Sequence, residues 1–229
     1  LSDLLYSLSE IKSLKRIRYT TSHPKDFTYD LIEAHGKCKK LMPLLHLPVQ
    51  SGSTKILKNM NRGHTIEEYL EIIDKLKAKK PSIKFSSDFI IAYPGEEKKD
   101  HQATLELIKN IKFINSYSFI FSPRPGTKAS NLELIERKTA LKRLEVVQNE
   151  LLKNQIEMNK YFENNEISVL VENKSTKTSK LFGRSEYMTS VIFDGNEEDI
   201  GKIINVKITD SNRNNLFGES AEKSKLRVA

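Results

Sequence analysis

The sequence predicts an α/β fold, with a parallel sheet that is either open or closed into a barrel, followed by a small all-β barrel. Short β-rich runs alternate with helical patterns over residues 1–162, which is the order expected of a parallel sheet. Three alternating strand patterns then follow one another without an intervening helix. At 229 residues the chain is long enough to bury one substantial core and a small second one.

Four β-rich runs are recognised by composition and alternation in the first part of the chain. Their midpoints lie roughly 30 to 40 residues apart, which is the length of a βα unit. These runs are Arg16–Thr20, Leu44–Val49, Lys84–Ile91 and Ser116–Phe121.

Helical patterns fill the intervals between these runs. Thr65 and Glu68 have the spacing of a capping box and predict a helix that begins after Thr65 and stops before Pro81. Further helices are predicted over Ser2–Leu14, after Pro94-Gly95, and from about Glu133 to Tyr161.

Each predicted strand is followed by small, polar or turn-forming residues. Ligands of parallel sheets bind where the carboxyl ends of the strands meet the following loops. Any one such loop also needs turn residues for structural reasons, but four of them at one edge favour a ligand site. The four loops are 20–24 (TTSHP), 50–53 (QSGS), 92–96 (AYPGE) and 122–127 (SPRPGT).

The second module is predicted to occupy residues 163–229, which leaves residues 1–162 for the α/β domain. Its strand patterns cover 166–172, 188–193 and 203–208. Residues 163–229 carry 10 Lys and Arg against 11 Asp and Glu, a net charge of −1. Because the whole chain has a net charge of +8, residues 1–162 carry a net charge of +9. A local cationic run between the first two strands is either an RNA contact or a solvated loop, and consists of Lys174, Lys177, Lys180 and Arg184.

Composition excludes several classes of protein. No apolar run approaches the ~18 residues that span a bilayer, so no membrane association is expected. The single cysteine, Cys38, excludes a disulfide framework and cannot hold an iron–sulfur cluster or a structural zinc ion. His23 and His46 are at strand boundaries without further ligands, so no metal site is predicted there. The net charge fits an anionic partner such as RNA, although a Lys- and Asn-rich proteome gives the same value.

Five motifs, in this order, resemble the later part of the radical SAM methylthiotransferases, and the MiaB-type tRNA branch in particular. They are IRYTTSHPKDF, HLPVQSGS, MNRGHT, SSDFIIAYPGE and FSPRPGTKAS. The tail, with VLVE, LFGRS, VIF, IGKIINVKI and LFGE, is similar to the TRAM domain that ends those enzymes. The resemblance implies a partial radical-SAM (TIM-like) βα barrel of about four parallel strands, with the small TRAM barrel after it.

The resemblance also implies an activity and its cofactors. Family members use S-adenosylmethionine and two [4Fe-4S] clusters to convert N6-isopentenyladenosine next to the anticodon of tRNA to its 2-methylthio derivative. The cluster cysteines have no counterpart in this chain, and against the family layout the chain supplies strands three to six of six. We therefore expect a cytoplasmic fragment that is inactive alone and has the missing N-terminal half and the tRNA anticodon arm as partners. The oligomeric state is left open, with a monomer as the expectation.

No catalytic residue is assigned, but the loops at the strand ends predict contacts with S-adenosylmethionine. The name rim is used for these four loops, 20–24, 50–53, 92–96 and 122–127. Polar side chains offer hydrogen bonds, glycines allow close approach, and a carboxylate within a strand is costly unless it faces the barrel lumen or is paired. Instead of binding the cofactor, Gln50 and Ser51 could cap the helix that follows their loop. Arg124 could likewise form a structural salt bridge. Ala92 replaces the usual family glycine and is expected to weaken cofactor binding or shift the loop. The candidate contacts are Gln50, Ser51, Gly52, Asp88, Pro94, Gly95 and Arg124.

Two alternatives to the enzymatic interpretation remain at this point. One is a non-catalytic RNA-binding remnant whose TRAM module still contacts tRNA. The other is a non-functional product of a split gene, in which an open barrel edge would promote aggregation.

Overall fold

A computed structural model describes residues 1–20, 23–175 and 178–221. Its helices are α1 (Ser2–Glu10), α2 (Tyr29–Lys37), α3 (Thr54–Asn59), α4 (Ile66–Lys79), α5 (Lys98–Ile111) and α6 (Arg137–Tyr161). Its strands are β1 (Leu44–His46), β2 (Lys84–Ser86), β3 (Asp88–Ile91), β4 (Tyr117–Ile120), β5 (Glu166–Lys174), β6 (Leu181–Ser185), β7 (Ser190–Asp194), β8 (Ile203–Ser211) and β9 (Asn215–Ser220). Short 3-10 turns lie at Pro24–Asp26, Lys128–Asn131 and Glu197–Asp199.

The chain divides into two compact units, Leu1–Leu151 and Leu152–Ala229. The division falls inside α6, whereas the sequence predicts a boundary at 162/163, just after that helix ends. Among the described residues, no helix combines the length and the apolar character that a bilayer crossing requires.

The first unit contains two parallel strand pairs, β1 with β2 and β3 with β4. Isolated parallel bridges, Thr20 with His46 and Gln50 with Phe89, extend this pairing. The predicted run Arg16–Thr20 thus contributes isolated bridges rather than a regular strand.

The predicted run Lys84–Ile91 is interrupted at Ser87. Leu47 N donates to Ser86 O and Gln50 N donates to Asp88 O, so the neighbouring segment has one more residue than this run between the two bonds, as in a β-bulge. The Ser87 hydroxyl replaces the missing pairing, since it accepts from Val49 N at 2.9 Å and donates to Leu47 O at 3.0 Å. The backbone pairing resumes where Gln50 N donates to Asp88 O.

One face of this sheet is covered by helices and forms the main core. Leu45, Leu47, Phe85 and Phe89 are buried there with side chains from α2, α4 and α5. The predicted capping box is confirmed, because Glu68 N donates to the Thr65 hydroxyl while Thr65 N donates to the Glu68 carboxylate. It fixes the start of α4.

The second unit is a closed five-stranded barrel with the strand order β5-β6-β7-β9-β8. The predicted strand patterns 166–172 and 203–208 lie within β5 and β8, and 188–193 overlaps β7 from Ser190 onward, while β6 and β9 do not stand out by alternation. Both contain a glycine at a point of close strand approach. A Cβ on Gly183 would lie 2.4 Å from Leu170 O, and one on Gly218 would lie 2.2 Å from Lys207 O. Glycine at these two positions lets the neighbouring strands approach and the barrel close. The absence of a side chain there also removes part of the alternating pattern by which a strand is recognised in the sequence.

Candidate functional site

The loops that follow the strands of the first unit contact one another in sequence. Lys55, which follows the loop after β1, bonds Gly95 O at 3.1 Å in the loop after β3. Tyr93 of that loop packs edge-to-face on Phe121, which follows β4, with ring centroids 4.8 Å apart. The predicted rim residues of these loops are therefore neighbours in space.

The segment Gln50–Ser53 is held tightly in the fold. Gln50 has a φ of +74°, a left-handed conformation that is uncommon for a residue with a side chain, and remains partly exposed. Ser51 is only 1% exposed, and its hydroxyl accepts from Ser53 N at 3.2 Å. Ser53 is the N-cap of α3 and accepts from Ile56 N. Ser51 thus fits the loop-cap alternative better than a direct ligand contact, whereas Gln50 stays accessible.

Gly52 lies against helix α5. A Cβ at this position would lie 2.5 Å from Ala103 O and 2.6 Å from Thr104 Cα. Gly52 N also donates to Thr104 Oγ1 at 2.9 Å. The close backbone approach predicted at Gly52 is thus an approach to α5, which gives this glycine a packing role.

Asp100 of α5 completes the attachment of this loop. Its carboxylate accepts from Ser53 Oγ at 2.7 Å, from Lys55 Nζ at 3.2 Å and from Glu97 N at 2.9 Å. Burial acts to raise the pKa of Asp100, but these three donors hold it below its ordinary value. Asp100 is therefore a stable anion that joins the loops after β1 and β3.

The turn after β3 is organised by Glu96. Its carboxylate accepts from Ala92 N and pairs with Arg143 Nη1 at 2.8 Å. Burial raises the pKa of Glu96 even though Arg143 acts to lower it. Pro94 is buried and Gly95 is exposed with a φ of +80°.

Ala92 occupies the left-handed region, with a φ of +58°. Glycine adopts this conformation without strain, whereas alanine does not. The family glycine at this position is thus accounted for by backbone geometry. The buried bond from Ala92 N to Glu96 keeps the strained residue in place.

A polar group lies on the face of the sheet opposite the helices. His46 Nδ1 is 2.9 Å from Ser86 Oγ, and His46 Nε2 is 3.4 Å from Asp88 Oδ2. The Asp88 side chain is 31% exposed, so this strand carboxylate is both paired and open to solvent. In the strand pairing Asp88 is opposite Tyr117, and Phe119 is the next residue but one on β4; both aromatic side chains are exposed. This face can present hydrogen-bond donors and acceptors beside apolar rings.

Arg124 is exposed in the loop after β4. Its carbonyl accepts from Thr127 N and from the Thr127 hydroxyl, so the loop backbone is ordered. Its guanidinium makes no ion pair with the described part of the chain. The structure therefore offers no acidic partner there for the structural salt bridge considered as an alternative role.

The side chains present do not fit an iron–sulfur cluster. Cys38 is the single cysteine of the sequence and is buried in the core at 3% exposure. Over residues 1–20, 23–175 and 178–221, no group of three or more His, Cys, Asp or Glu side chains is arranged to hold a metal ion. His23 and His64 are in edge-to-face contact, but two imidazoles alone make no such site.

The predicted cationic run of the second unit is largely paired with acidic side chains. Lys174 lies 2.5 Å from Glu197, and Lys180 lies 3.0 Å from Asp194. Arg184 donates to Met188 O and Ser190 Oγ and is stacked over the Phe182 ring at 5.2 Å. Lys177 lies outside the described residues. Exposed pairs of this kind contribute little to stability.

Comparisons with known proteins match both units. The radical SAM superfamily model matches residues 1–108, and the TRAM domain model matches residues 160–220. Among solved structures, a crystal structure of Streptococcus suis SuiB bound to S-adenosylmethionine aligns with a TM-score of 0.43 and 15% identity over 67% of this chain and 32% of that chain. That similarity is too low to establish the fold.

Curated relatives match the whole chain. A protein of Pelagibacter ubique named tRNA-2-methylthio-N(6)-dimethylallyladenosine synthase is 61% identical over 100% of this chain and 51% of its own length. Proteins of the same name from Zymomonas mobilis and Rickettsia akari are 43% and 46% identical over 100% and 96% of this chain and 52% and 50% of their own lengths. The chain is thus similar over its whole length to these relatives, spans about half of their length, and matches the radical SAM superfamily over residues 1–108. S-adenosylmethionine and [4Fe-4S] clusters are the cofactors of this family.

Sequence reasoning missed the residues that hold the rim together. Glu96 and Arg143 are 47 positions apart, and no local pattern connects them. Asp100 lies in the first turn of helix α5, where acidic residues are common because they interact favourably with the helix dipole. Its presence there therefore gave no sign of a role in holding the loops. The pairing of His46 with Asp88 was not predicted, although both residues lie in predicted strands.

Gly52→Ala is predicted to destabilise the chain by about 2 kcal/mol, because the added methyl group overlaps the α5 backbone. Urea unfolding followed by circular dichroism measures the change. Gly36→Ala in α2 is the matched control, since its Cβ would meet Lys79 at 3.3 Å, and it should stay within about 1 kcal/mol of the parent. Unchanged unfolding of Gly52→Ala would show that packing on α5 does not require glycine.

Arg143→Ala is predicted to destabilise the chain by about 3 kcal/mol at pH 7, because it leaves the buried Glu96 carboxylate unpaired. Burial raises the pKa of Glu96 in the folded state above its value in the unfolded chain, so the folded variant takes up a proton first as the pH falls. The loss of stability should therefore shrink as the pH falls from 7 through the raised pKa towards the ordinary glutamate value.

Urea unfolding at a series of pH values tests this dependence. Lys142→Ala, an exposed position on the same helix, should change stability by less than about 0.5 kcal/mol at every pH. A loss for Arg143→Ala that stays constant or grows towards acid pH would contradict the assignment.

Proposed function

We propose that this chain is the C-terminal part of a radical SAM tRNA methylthiotransferase. With the N-terminal half it would convert N6-isopentenyladenosine next to the anticodon to the 2-methylthio derivative. The observation that carries the proposal is the 61% identity, over the whole chain, to a relative named for this reaction. The paired radical SAM and TRAM matches support it.

Within this proposal, the first unit contributes part of the S-adenosylmethionine site. Gln50, Asp88 and Arg124 are the candidate contacts whose side chains remain accessible, and they combine amide, carboxylate and guanidinium chemistry. A ligand with an ammonium and a carboxylate group needs this combination. Ser51, Gly52 and Pro94 would act through the shape of the loops, and Gly95 through its exposed turn.

The second unit would bind the anticodon arm. Lys174, Lys177, Lys180 and Arg184 are the proposed phosphate contacts, and the TRAM match over residues 160–220 supports an RNA-binding role. The chain alone would be inactive because it lacks the cysteines for the clusters. The missing half is therefore an obligatory partner, and the expected location of the assembled enzyme is the cytoplasm.

Co-expression of this chain with the N-terminal half of the Pelagibacter ubique relative tests the proposal. After anaerobic reconstitution with iron and sulfide, we expect reduced mixtures to produce 5′-deoxyadenosine above the level of either half alone. The 2-methylthio product should appear in isopentenylated tRNA by mass spectrometry. The full-length relative serves as the positive control.

Asp88→Asn should lower 5′-deoxyadenosine formation by the mixture about tenfold or more, because it removes a charged hydrogen-bonding group. Asp74→Asn, an exposed position on α4, should leave the rate unchanged. No product from the mixture, with an active positive control, would contradict the enzymatic proposal. If the chain still bound tRNA in a salt-dependent manner, the RNA-binding remnant would take its place.

A further inference from the structure

The second unit contains a cavity to which neither the fold comparison nor the proposed reaction assigns a role. It lies where the end of α6 meets the start of β5 and the turn between β6 and β7. Its volume is about 380 Å³, which lies within the ~300–1,000 Å³ typical of small-ligand sites. All residues that line it belong to the second unit.

Aromatic rings form one wall of this cavity. Phe162 is buried and contacts both Tyr161 and Tyr187, with ring centroids 5.8 and 5.4 Å apart. Tyr161 is 73% exposed, although it is supported from behind by Phe162. An exposed ring on a rigid support is the arrangement on which an unstacked nucleobase packs.

Hydrogen-bond acceptors line another part of the cavity. Glu166 and Glu186 contribute carboxylates that have no hydrogen bond or ion pair with the described part of the chain. Asn165 uses its side-chain N–H₂ to donate to Tyr161 O at 2.9 Å, which leaves its amide oxygen as an acceptor. A ligand that satisfies these groups must supply hydrogen-bond donors, such as the N–H groups of a nucleobase.

The cavity is preorganised by backbone hydrogen bonds at the end of α6. Asn165 N donates to Phe162 O, Asn164 N donates to Ile208 O, and Ile208 N donates to Asn165 O. These bonds fix the α6 end against β8 before any ligand binds. Binding therefore does not have to order this segment.

A cation beside the cavity distinguishes between possible ligands. Lys207 is exposed and lies directly opposite Glu166 in the pairing of β5 with β8. A cationic ligand would satisfy only the carboxylates, whereas a nucleotide can place its base against the carboxylates and its phosphate near the lysine.

We propose that this cavity binds one unstacked RNA base that carries an exocyclic amino group, with Tyr161 as the stacking platform and Glu166 and Glu186 as the acceptors. Cytosine, adenine and guanine offer such a donor, and uracil does not. The assignment rests on the RNA-binding role proposed above and adds base selectivity to it.

Fluorescence anisotropy with the full 229-residue chain and fluorescein-labelled rC6 and rU6 tests this inference. The two oligonucleotides have the same phosphates and ring size, so the ratio of their dissociation constants reports the base alone. We expect rC6 to bind about fivefold or more tightly than rU6. Glu166→Gln and Glu186→Gln should each move that ratio towards one, and Glu198→Gln, which makes the same charge change on the exposed 3-10 turn, should not.

Tyr161→Ala should weaken both oligonucleotides about fivefold or more, while Tyr161→Phe should retain their affinity, because stacking needs the ring and not the hydroxyl. Equal, salt-dependent binding of rC6 and rU6 would overturn the pocket assignment alone. Failure of both to bind would overturn the RNA-binding role together with it. Displacement of rC6 by N-acetylargininamide more effectively than by cytidine would show instead that the cavity takes a cationic side chain.

Discussion

The contact between Gly52 and helix α5 is the constraint on which the arrangement of the rim depends. Because no side chain separates the two backbones, Gly52 N reaches the Thr104 hydroxyl and Ser53 reaches Asp100. Asp100 in turn holds Lys55 and the backbone of Glu97. The loops after β1 and β3 are therefore positioned by one helix face, independently of any bound molecule.

This arrangement changes the meaning of the polar residues at the strand ends. Small polar side chains at the carboxyl edge of a sheet are expected both in ligand sites and in loop caps. Ser51 and Ser53 use their hydroxyl groups for packing and capping, whereas Gln50, Asp88 and Arg124 remain accessible. Burial separates these two groups, and a sequence pattern contains no direct record of burial.

Local signals predicted most of the fold, and long-range contacts account for what they missed. The capping box at Thr65 is decided within four residues, so it was predictable. Strands β6 and β9 contain Gly183 and Gly218 because neighbouring strands approach closely there, and this need is visible only in three dimensions. Likewise, the strain at Ala92 becomes intelligible only once its φ and its bond to Glu96 are known.

Hydrogen exchange at the Gly52 amide, followed by NMR, tests the central claim most directly. Gly52 N–H donates to a buried hydroxyl, so its exchange should require an opening as costly as that of core amides in the first unit, such as Leu47. Exposed Gly126, in the loop after β4, provides a reference for an accessible amide. Protection of Gly52 comparable to Leu47 is the predicted result, and exchange as fast as that of Gly126 would contradict the account.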